Sequence, residues 1–174
     1  REKALGPDHP LTAGSLNQLA TLLDNMGDRA GARPLLERAL AIREKALGPD
    51  HPETAKTLHN LALLLQMIGD LKGARPLFDR ALAIRERSLG PNHPETATNL
   101  CNLALLLLAS GDRAGARPLL ERSLAIREKV LGPDHPATAH SLNSLATALC
   151  SMGDLQAARP LLERAIAASR VPVV

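Results

Sequence analysis

Aromatic residues are nearly absent from this sequence: Phe78 is the single one, and there is no Trp or Tyr. Strands are enriched in aromatic and β-branched residues, so this composition argues against a β-sheet fold. Leu, Ala and Ile must then fill the core, which favours close-packed helices. The same absence removes the rings on which many proteins stack single-stranded nucleic acid.

The sequence also has only two cysteines, no long apolar run and no large excess of one charge. Cys101 and Cys150 are too few for a disulfide framework, and no bridge between them is expected. No apolar run is as long as a membrane span, and the first residues do not resemble a signal peptide, so we expect a cytoplasmic protein without a membrane partner. The 21 basic and 18 acidic residues are interspersed, which is typical of a solvated surface and disfavours nucleic acid as a partner.

A pentapeptide recurs every 42 residues, as Gly-Pro-Asp-His-Pro from Gly6, Gly48 and Gly132 and as Gly-Pro-Asn-His-Pro from Gly90. When the four units are aligned, 18 of 42 positions are identical in all of them. Regular self-similarity of this length predicts a repeat architecture. Within a single domain over 1–174, we assign repeats to 6–47, 48–89, 90–131 and 132–173, with 1–5 as the end of a preceding repeat's second helix. The chain starts without Met and in mid-pattern, which indicates a piece of a longer protein.

The first helix of each unit is predicted from its cap and its apolar stripe. Asp8 is the expected N-cap, and Asp50 and Asn92 are each followed three residues later by Glu, the spacing of a capping box. The apolar residues behind the cap recur at helical spacing and form one stripe. In the first unit they are Leu16, Leu19, Ala20 and Leu23.

The second helix follows a glycine–aspartate pair. Gly27 suits the left-handed position after the first helix, and Asp28 suits the N-cap of the second. Pro34 lies six residues further on, where proline removes a backbone hydrogen bond. Either the helix bends there or it starts only near the proline; we favour the bend.

One hairpin cannot bury its stripe alone, so neighbouring units must stack. The spacing of the small and apolar residues resembles the tetratricopeptide signature, through Leu19, Ala20, Gly27, Ala32, Leu36 and Ala39. The segment 33–52 resembles the 42-residue class found in kinesin light chains and nephrocystin-like proteins. This resemblance covers essentially the whole chain and implies an all-α, right-handed solenoid of four antiparallel helical hairpins.

The resemblance also implies where a ligand binds, in a concave groove lined by the first helix of each unit. The helical wheel selects the same face, opposite the apolar stripe, and the four units differ most along it. The predicted partner-binding residues are Asn17, Gln18, Lys56, His59, Asn60, Leu63, Gln66, Asn102, Leu105, Leu108, His140 and Asn143.

The composition of this face predicts an extended peptide or a partner protein segment as the ligand. Its amides can both donate to and accept from a peptide backbone, and Leu63, Leu105 and Leu108 form an apolar patch. Lys56 and two histidines surround that patch, so the apolar anchor of the partner is expected between acidic residues. The resemblance to kinesin light chains implies an aromatic anchor in such a setting. The alternative is a tightly curled superhelix that buries this face by itself.

Catalysis, metals and cofactors are not expected. His9, His51, His93 and His135 occur once per hairpin, so packed helices hold them about 8–10 Å apart, and we interpret them as loop and cap residues. The side chains of His59, Cys101 and Asn143 have the types of a papain-like triad. They lie in successive rows of the groove, too far apart for a nucleophile and its base.

Two further interpretations concern other surfaces. Arg33, Arg38 and Arg43 alternate with glutamates along the second helix, which predicts a solvated outer face. On that basis Arg43→Glu should weaken partner binding only a little. The last unit departs from the pattern from Ala167 and ends in apolar residues, so self-association through the repeat ends is an alternative function.

Overall fold

The computed structural model describes residue 6 and residues 8–168. Within that part of the chain all regular structure is helical, and the helices follow one another as consecutive hairpins: α1 Pro10–Asn25, α2 Arg29–Leu47, α3 Pro52–Met67, α4 Leu71–Ser88, α5 Pro94–Ala109, α6 Arg113–Leu131, α7 Pro136–Ser151 and α8 Leu155–Ala168. The all-α fold class predicted from the sequence is confirmed. The expected helix end at 1–5 and the tail from Ser169 lie outside the described residues.

Two compact units make up the chain, residues 1–88 with α1–α4 and residues 89–174 with α5–α8. Within each unit the two helices of a hairpin pack together. The second helix of the first hairpin also packs on the first helix of the next, so that α2 contacts α3 and α6 contacts α7. Alanines at these contacts allow the helices to approach closely, and Phe78 is the largest fully buried side chain among the described residues.

A histidine, and not the aspartate or asparagine before it, caps the first helix of every hairpin. The Nδ1 atom of His9 accepts a hydrogen bond from the amide of Leu11 at 3.2 Å, and that of His51 accepts from the amide of Glu53 at 3.1 Å. His93 and His135 do the same. The predicted aspartate cap and capping boxes are therefore wrong, whereas the interpretation of the histidines as cap residues is confirmed. Proline takes the first helical position, so the cap is the residue directly before the proline, one residue later than predicted.

Loss of one histidine cap should weaken the chain measurably. We expect His51→Ala to lower the free energy of unfolding by about 1 kcal/mol, because the amide of Glu53 loses its acceptor. His51→Asn is the control, since asparagine is among the best N-cap residues and should restore most of the loss. Urea unfolding followed by circular dichroism measures both. Equal losses in the two variants would show that the histidine stabilises the chain by another route.

The aspartates at the hairpin turns take the predicted capping role. Gly27 has φ +86°, and Oδ1 of Asp28 accepts a hydrogen bond from the amide of Gly31 at 2.9 Å. A Cβ atom at residue 31 would collide with that carboxylate, which explains the glycine at this position. The last hairpin carries Ala157 there, and the corresponding hydrogen bond lengthens to 3.2 Å.

The prolines of the second helices lie inside continuous helices. Helix α2 begins at Arg29, before Pro34, and the other second helices also begin before their prolines. A helix that starts only at the proline is therefore ruled out. The Asp28 cap sets the start of α2, and the single hydrogen bond that proline removes does not stop the helix.

Candidate functional site

A cleft of about 420 Å³ opens on the first unit between α1, α3 and the end of α2. Four of the predicted binding residues line it: Asn17, Gln18, Lys56 and Asn60. The remaining lining residues are Pro10, Leu11, Gly14, Thr21, Arg43, Leu47 and Glu53. Four of the twelve predicted residues therefore lie together at this cleft, which also includes residues of α2 that the prediction did not name.

Asn17 lies at the floor of the cleft and is buried, which contradicts its predicted place on a solvent-facing surface. Its Nδ2 donates to Thr57 Oγ1 at 3.2 Å and to the carbonyl of Ala13 at 3.1 Å. Its Oδ1 accepts from Asn60 Nδ2 at 3.3 Å. The amide of Asn17 is thus used inside the protein, where it orients Asn60. The amides that face the cleft are those of half-buried Asn60 and exposed Gln18.

Arg43 also reaches this cleft and is only 5% exposed, so its assignment to a solvated outer face is wrong. Nη1 donates to the carbonyl of Glu53 at 2.8 Å and to Thr57 Oγ1 at 2.6 Å. Nη2 forms an ion pair with Glu53 Oε2 at 2.5 Å. Burial lowers the pKa of the Arg43 guanidinium, and the charge of Glu53 opposes that shift. The guanidinium therefore joins α2 to α3 at the edge of the cleft.

A smaller depression of about 130 Å³ continues the cleft along α1 and α3. It shares Thr21 and Asn60 with the cleft and adds Leu63 and Asp24 to the lining. Asp24 is already paired with Arg29 at 3.2 Å, which reduces its repulsion of an acidic ligand. Gln66 is half-buried and lines neither cavity.

His59 is turned into the protein and does not line the cleft. Its ring meets Phe78 edge to face, with centroids 5.5 Å apart, and its Nδ1 lies 3.3 Å from Arg85 Nη1. Because an arginine can only donate, Nδ1 must accept, so the imidazole is neutral in this contact. The prediction that His59 lies on the binding face is therefore wrong.

Five of the predicted binding residues lie in the second unit. Leu105 and Leu108 are half-buried and pack against the core of that unit, Asn102 is half-buried, and His140 and Asn143 are exposed. Burial lowers the pKa of the His140 imidazole, and the charge of Arg127 lowers it further.

Arg127 is the counterpart of Arg43 in the second unit and was missed by the sequence reasoning. It is buried, and its Nη1 donates to the carbonyl of Ala137 at 3.0 Å and to Ser141 Oγ at 2.8 Å. Its Nη2 donates to Thr98 Oγ1 at 3.1 Å. Like Arg43, it joins the second helix of one hairpin to the first helix of the next.

Neither cysteine lines the cleft or the smaller depression. Cys101 is buried, with Sγ 3.7 Å from Ser144 Oγ, and burial raises the pKa of its thiol. Cys150 is exposed, and neither cysteine is in a disulfide. Residues 8–168 contain no cluster of three or more metal-binding side chains. None of the described helices has both the length and the apolar character needed to cross a membrane.

The sequence profile of the Tetratricopeptide repeat family matches residues 1–45, 25–86, 62–129 and 102–170. This chain is a tetratricopeptide repeat protein. The kinesin light chain-like class expected from the sequence is also confirmed by its structural relatives. Tetratricopeptide repeats mediate protein–protein interaction or self-assembly, and scaffold families of this kind are typically not enzymes.

Among solved structures, the repeat protein is similar to nearly identical TPR-like repeats of a protein from Podosopora anserina that is designated a kinesin light chain. Identity is 33%, the match covers 96% of this chain and 79% of that one, and the TM-score is 0.80. A substituted variant of the same repeats is 32% identical, and the match covers 95% of this chain and 78% of that one, with a TM-score of 0.82. BtubC (BKLC) from P. vanneervenii is 25% identical over 92% of this chain and 65% of that one, with a TM-score of 0.86. A comparison with curated protein sequences gives no match.

Proposed function

We propose that this tetratricopeptide repeat protein is a scaffold that binds an extended segment of a partner protein, with the cleft between α1 and α3 as its main docking site. The observation that carries the proposal is the 420 Å³ cleft lined by Asn17, Gln18, Lys56 and Asn60. A volume of this size accommodates a few residues of a peptide, and ligand pockets in proteins are of about 300–1,000 Å³.

The polar groups of the cleft favour a peptide backbone as the ligand. Gln18 and Asn60 each offer a donor and an acceptor, the two groups that every peptide unit requires. Asn17 accepts a hydrogen bond from Asn60 and is itself held by Thr57, so Asn60 loses less rotamer freedom when a ligand binds. Leu63, in the adjoining depression, supplies an apolar surface for one side chain of the partner.

The charges of the cleft favour acidic residues in the partner. The charge of Arg43 is balanced by Glu53, whereas exposed Lys56 forms no ion pair with any described residue. Asp24 is balanced by Arg29. The surplus charge at this site is therefore positive, which attracts an acidic segment and repels a basic one.

The second unit supplies a related set of side chains for the same partner. Asn102 occupies the repeat position of Asn60, and Leu105 that of Leu63. Helix α5 also carries Leu108, and helix α7, the first helix of the last hairpin, carries His140 and Asn143. In the first unit we assign an apolar contact of the partner to Leu63 and its acidic flank to Lys56. In the second unit we assign a separate apolar contact to Leu105 and Leu108 and a polar contact to His140.

The experiment starts from a partner segment selected by pull-down or peptide display and compares charge reversals inside and outside the cleft. Lys56→Glu should weaken binding about fivefold in low salt, and the effect should shrink as salt is added, since an exposed charge is screened. Lys72→Glu on α4 is the matched control, because Lys72 is exposed and lies outside the cleft. If both reversals have the same effect, the cleft is not the docking site.

The second arm of the same experiment tests the apolar anchor. Leu105→Lys should weaken binding by at least about 2 kcal/mol, the range of a hot-spot residue. Val130→Lys is its control, since Val130 is an exposed apolar residue on a second helix of the same unit. Both variants are checked for unchanged helicity first. Normal binding by a folded Leu105→Lys variant would refute the anchor assignment.

A further inference from the structure

Of the twelve glycines in the chain, eleven have a structural reason to be glycine. Eight of them have φ between +82° and +97°, in the left-handed region that only glycine adopts readily. Three others, Gly31, Gly73 and Gly115, lie against an aspartate cap, and a Cβ atom there would collide with the carboxylate. Gly14 is the exception. It lies inside helix α1, and a Cβ atom added to it would meet no neighbouring group of the described chain within 4 Å.

The fold does not require a glycine at residue 14. A glycine inside a helix is less stable than an alanine, because the unfolded chain has more conformational freedom to lose. The space around Gly14 is also not peculiar to the first hairpin. Lys56 and His140 occupy the same repeat position in hairpins that follow another hairpin of their unit, and both side chains are exposed. Gly14 therefore lowers the stability of α1 without a compensating contact inside the protein.

Gly14 lies on the wall of the 420 Å³ cleft. Leu11, Gly14 and Gln18 follow one another at the spacing of a single helix face, and all three line the cleft. Lys56 lines it from α3, at the repeat position of Gly14. The cleft is thus lined by one repeat position twice, once as a lysine and once as a residue without a side chain. A long side chain at residue 14 would occupy part of the volume that is now open.

The surroundings of Gly14 differ in polarity along the cleft. Leu11, in the first turn of α1, and Leu47, the last residue of α2, make one end apolar. The amides of Gln18 and Asn60 make the other end polar. Because Gly14 lies between Leu11 and Gln18 along α1, the open space beside it adjoins both ends. An apolar group fits there without burying an unpaired polar group of the cleft.

We propose that Gly14 is a specificity-determining residue of the cleft. Because it has no side chain, an apolar side chain of the partner segment packs directly on the backbone of α1, beside Leu11 and Leu47. The backbone of the same segment then lies against the amides of Gln18 and Asn60. This inference rests on the proposed function and adds one feature of the partner, an apolar residue that is distinct from the contact at Leu63 and from the acidic residues near Lys56.

Peptide display against the wild type and against Gly14→Gln tests the proposal. Glutamine is uncharged, forms helices well and is long enough to fill the space beside α1. Peptides selected on the wild type should carry an apolar residue at a constant distance from their acidic residues, and peptides selected on Gly14→Gln should keep only the acidic ones. A peptide selected on the wild type should bind Gly14→Gln at least about tenfold more weakly. Ser15→Gln is the matched control, since Ser15 is on the same helix and lines neither cavity.

Stability provides a second readout that a purely structural role of Gly14 would move in the opposite direction. Gly14→Gln should raise the melting temperature by about 2–4 °C, because a good helix former replaces glycine in α1. Replacing the apolar residue of the selected peptide by alanine should weaken binding to the wild type and leave binding to Gly14→Gln unchanged. The expected variant is therefore more stable and binds less well.

Three outcomes would overturn the proposal: a lower melting temperature of Gly14→Gln, unchanged binding by Gly14→Gln, or an equal loss of binding in Ser15→Gln. Lys56→Glu separates this inference from the proposed function. If Lys56→Glu weakens binding and Gly14→Gln does not, the cleft is the docking site but Gly14 is not its determinant. If neither substitution changes binding, the cleft is not the docking site and both proposals fail.

Discussion

Phe78→Ala should lower the free energy of unfolding by about 3–5 kcal/mol, the largest loss expected from a single truncation in this chain. Phe78 is fully buried and meets His59 edge to face, so the substitution leaves a cavity and removes the ring contact. Urea unfolding of the full chain, followed by far-UV circular dichroism, measures the effect.

The chain provides the matched control for this substitution. Leu36 and Leu120 fill the same repeat position and are buried there. Phe78→Leu should therefore cost less than about 1.5 kcal/mol, as hydrophobic exchanges of similar volume usually do. Equal losses for alanine and leucine would mean that the stabilisation comes from the aromatic ring and not from filled volume.

Arg43→Glu should destabilise the chain by about 3 kcal/mol, because it places an unpaired carboxylate at a buried position. The substitution brings a second carboxylate close to Glu53 and removes the donor that Thr57 Oγ1 and the Glu53 carbonyl share. Thermal unfolding of the wild type and the variant, in the same buffer, measures the loss.

Two variants separate charge from packing at this position. Arg33→Glu reverses an exposed charge on the same helix and should cost less than about 1 kcal/mol. Arg43→Met keeps an apolar stem without placing a negative charge beside Glu53, so it should be milder than Arg43→Glu. An Arg43→Glu variant as stable as Arg33→Glu would show that Arg43 is not buried beside Glu53 in solution.

The number of helices, their pairing and the turns between them follow from local features of the sequence. Gly27 and Asp28 act within a few residues of their place in the chain, so a single sequence is enough to predict them. The predicted cap, Asp8, lies one residue before the observed one, because proline prefers the first helical position. That preference identifies His9, the residue before Pro10.

Burial at Arg43 and Asn17 was not predicted because it depends on the next hairpin. A helical wheel divides a helix into one buried face and one exposed face. Helix α1, however, contacts both α2 and α3, so more than one of its faces is covered. A signal for Arg43 was present: it follows Ala39 by four residues and Leu36 by seven, so it continues the buried stripe of α2. Asn17 gives no comparable signal, since its burial depends on Thr57, which lies 40 residues later.

The buried arginines bear on how a gene for such a chain can grow by duplication of a 42-residue segment. Their ion-pair partners are not constant, because Glu53 beside Arg43 becomes Ala137 beside Arg127. Both arginines donate to a hydroxyl, of Thr57 or Ser141, and to a main-chain carbonyl, which lies 2.8 Å from Arg43 and 3.0 Å from Arg127. A carbonyl is present whatever residue a codon specifies. A newly copied segment therefore joins its neighbour through its arginine at once, and the side chains around that joint are left to diverge by later point mutation.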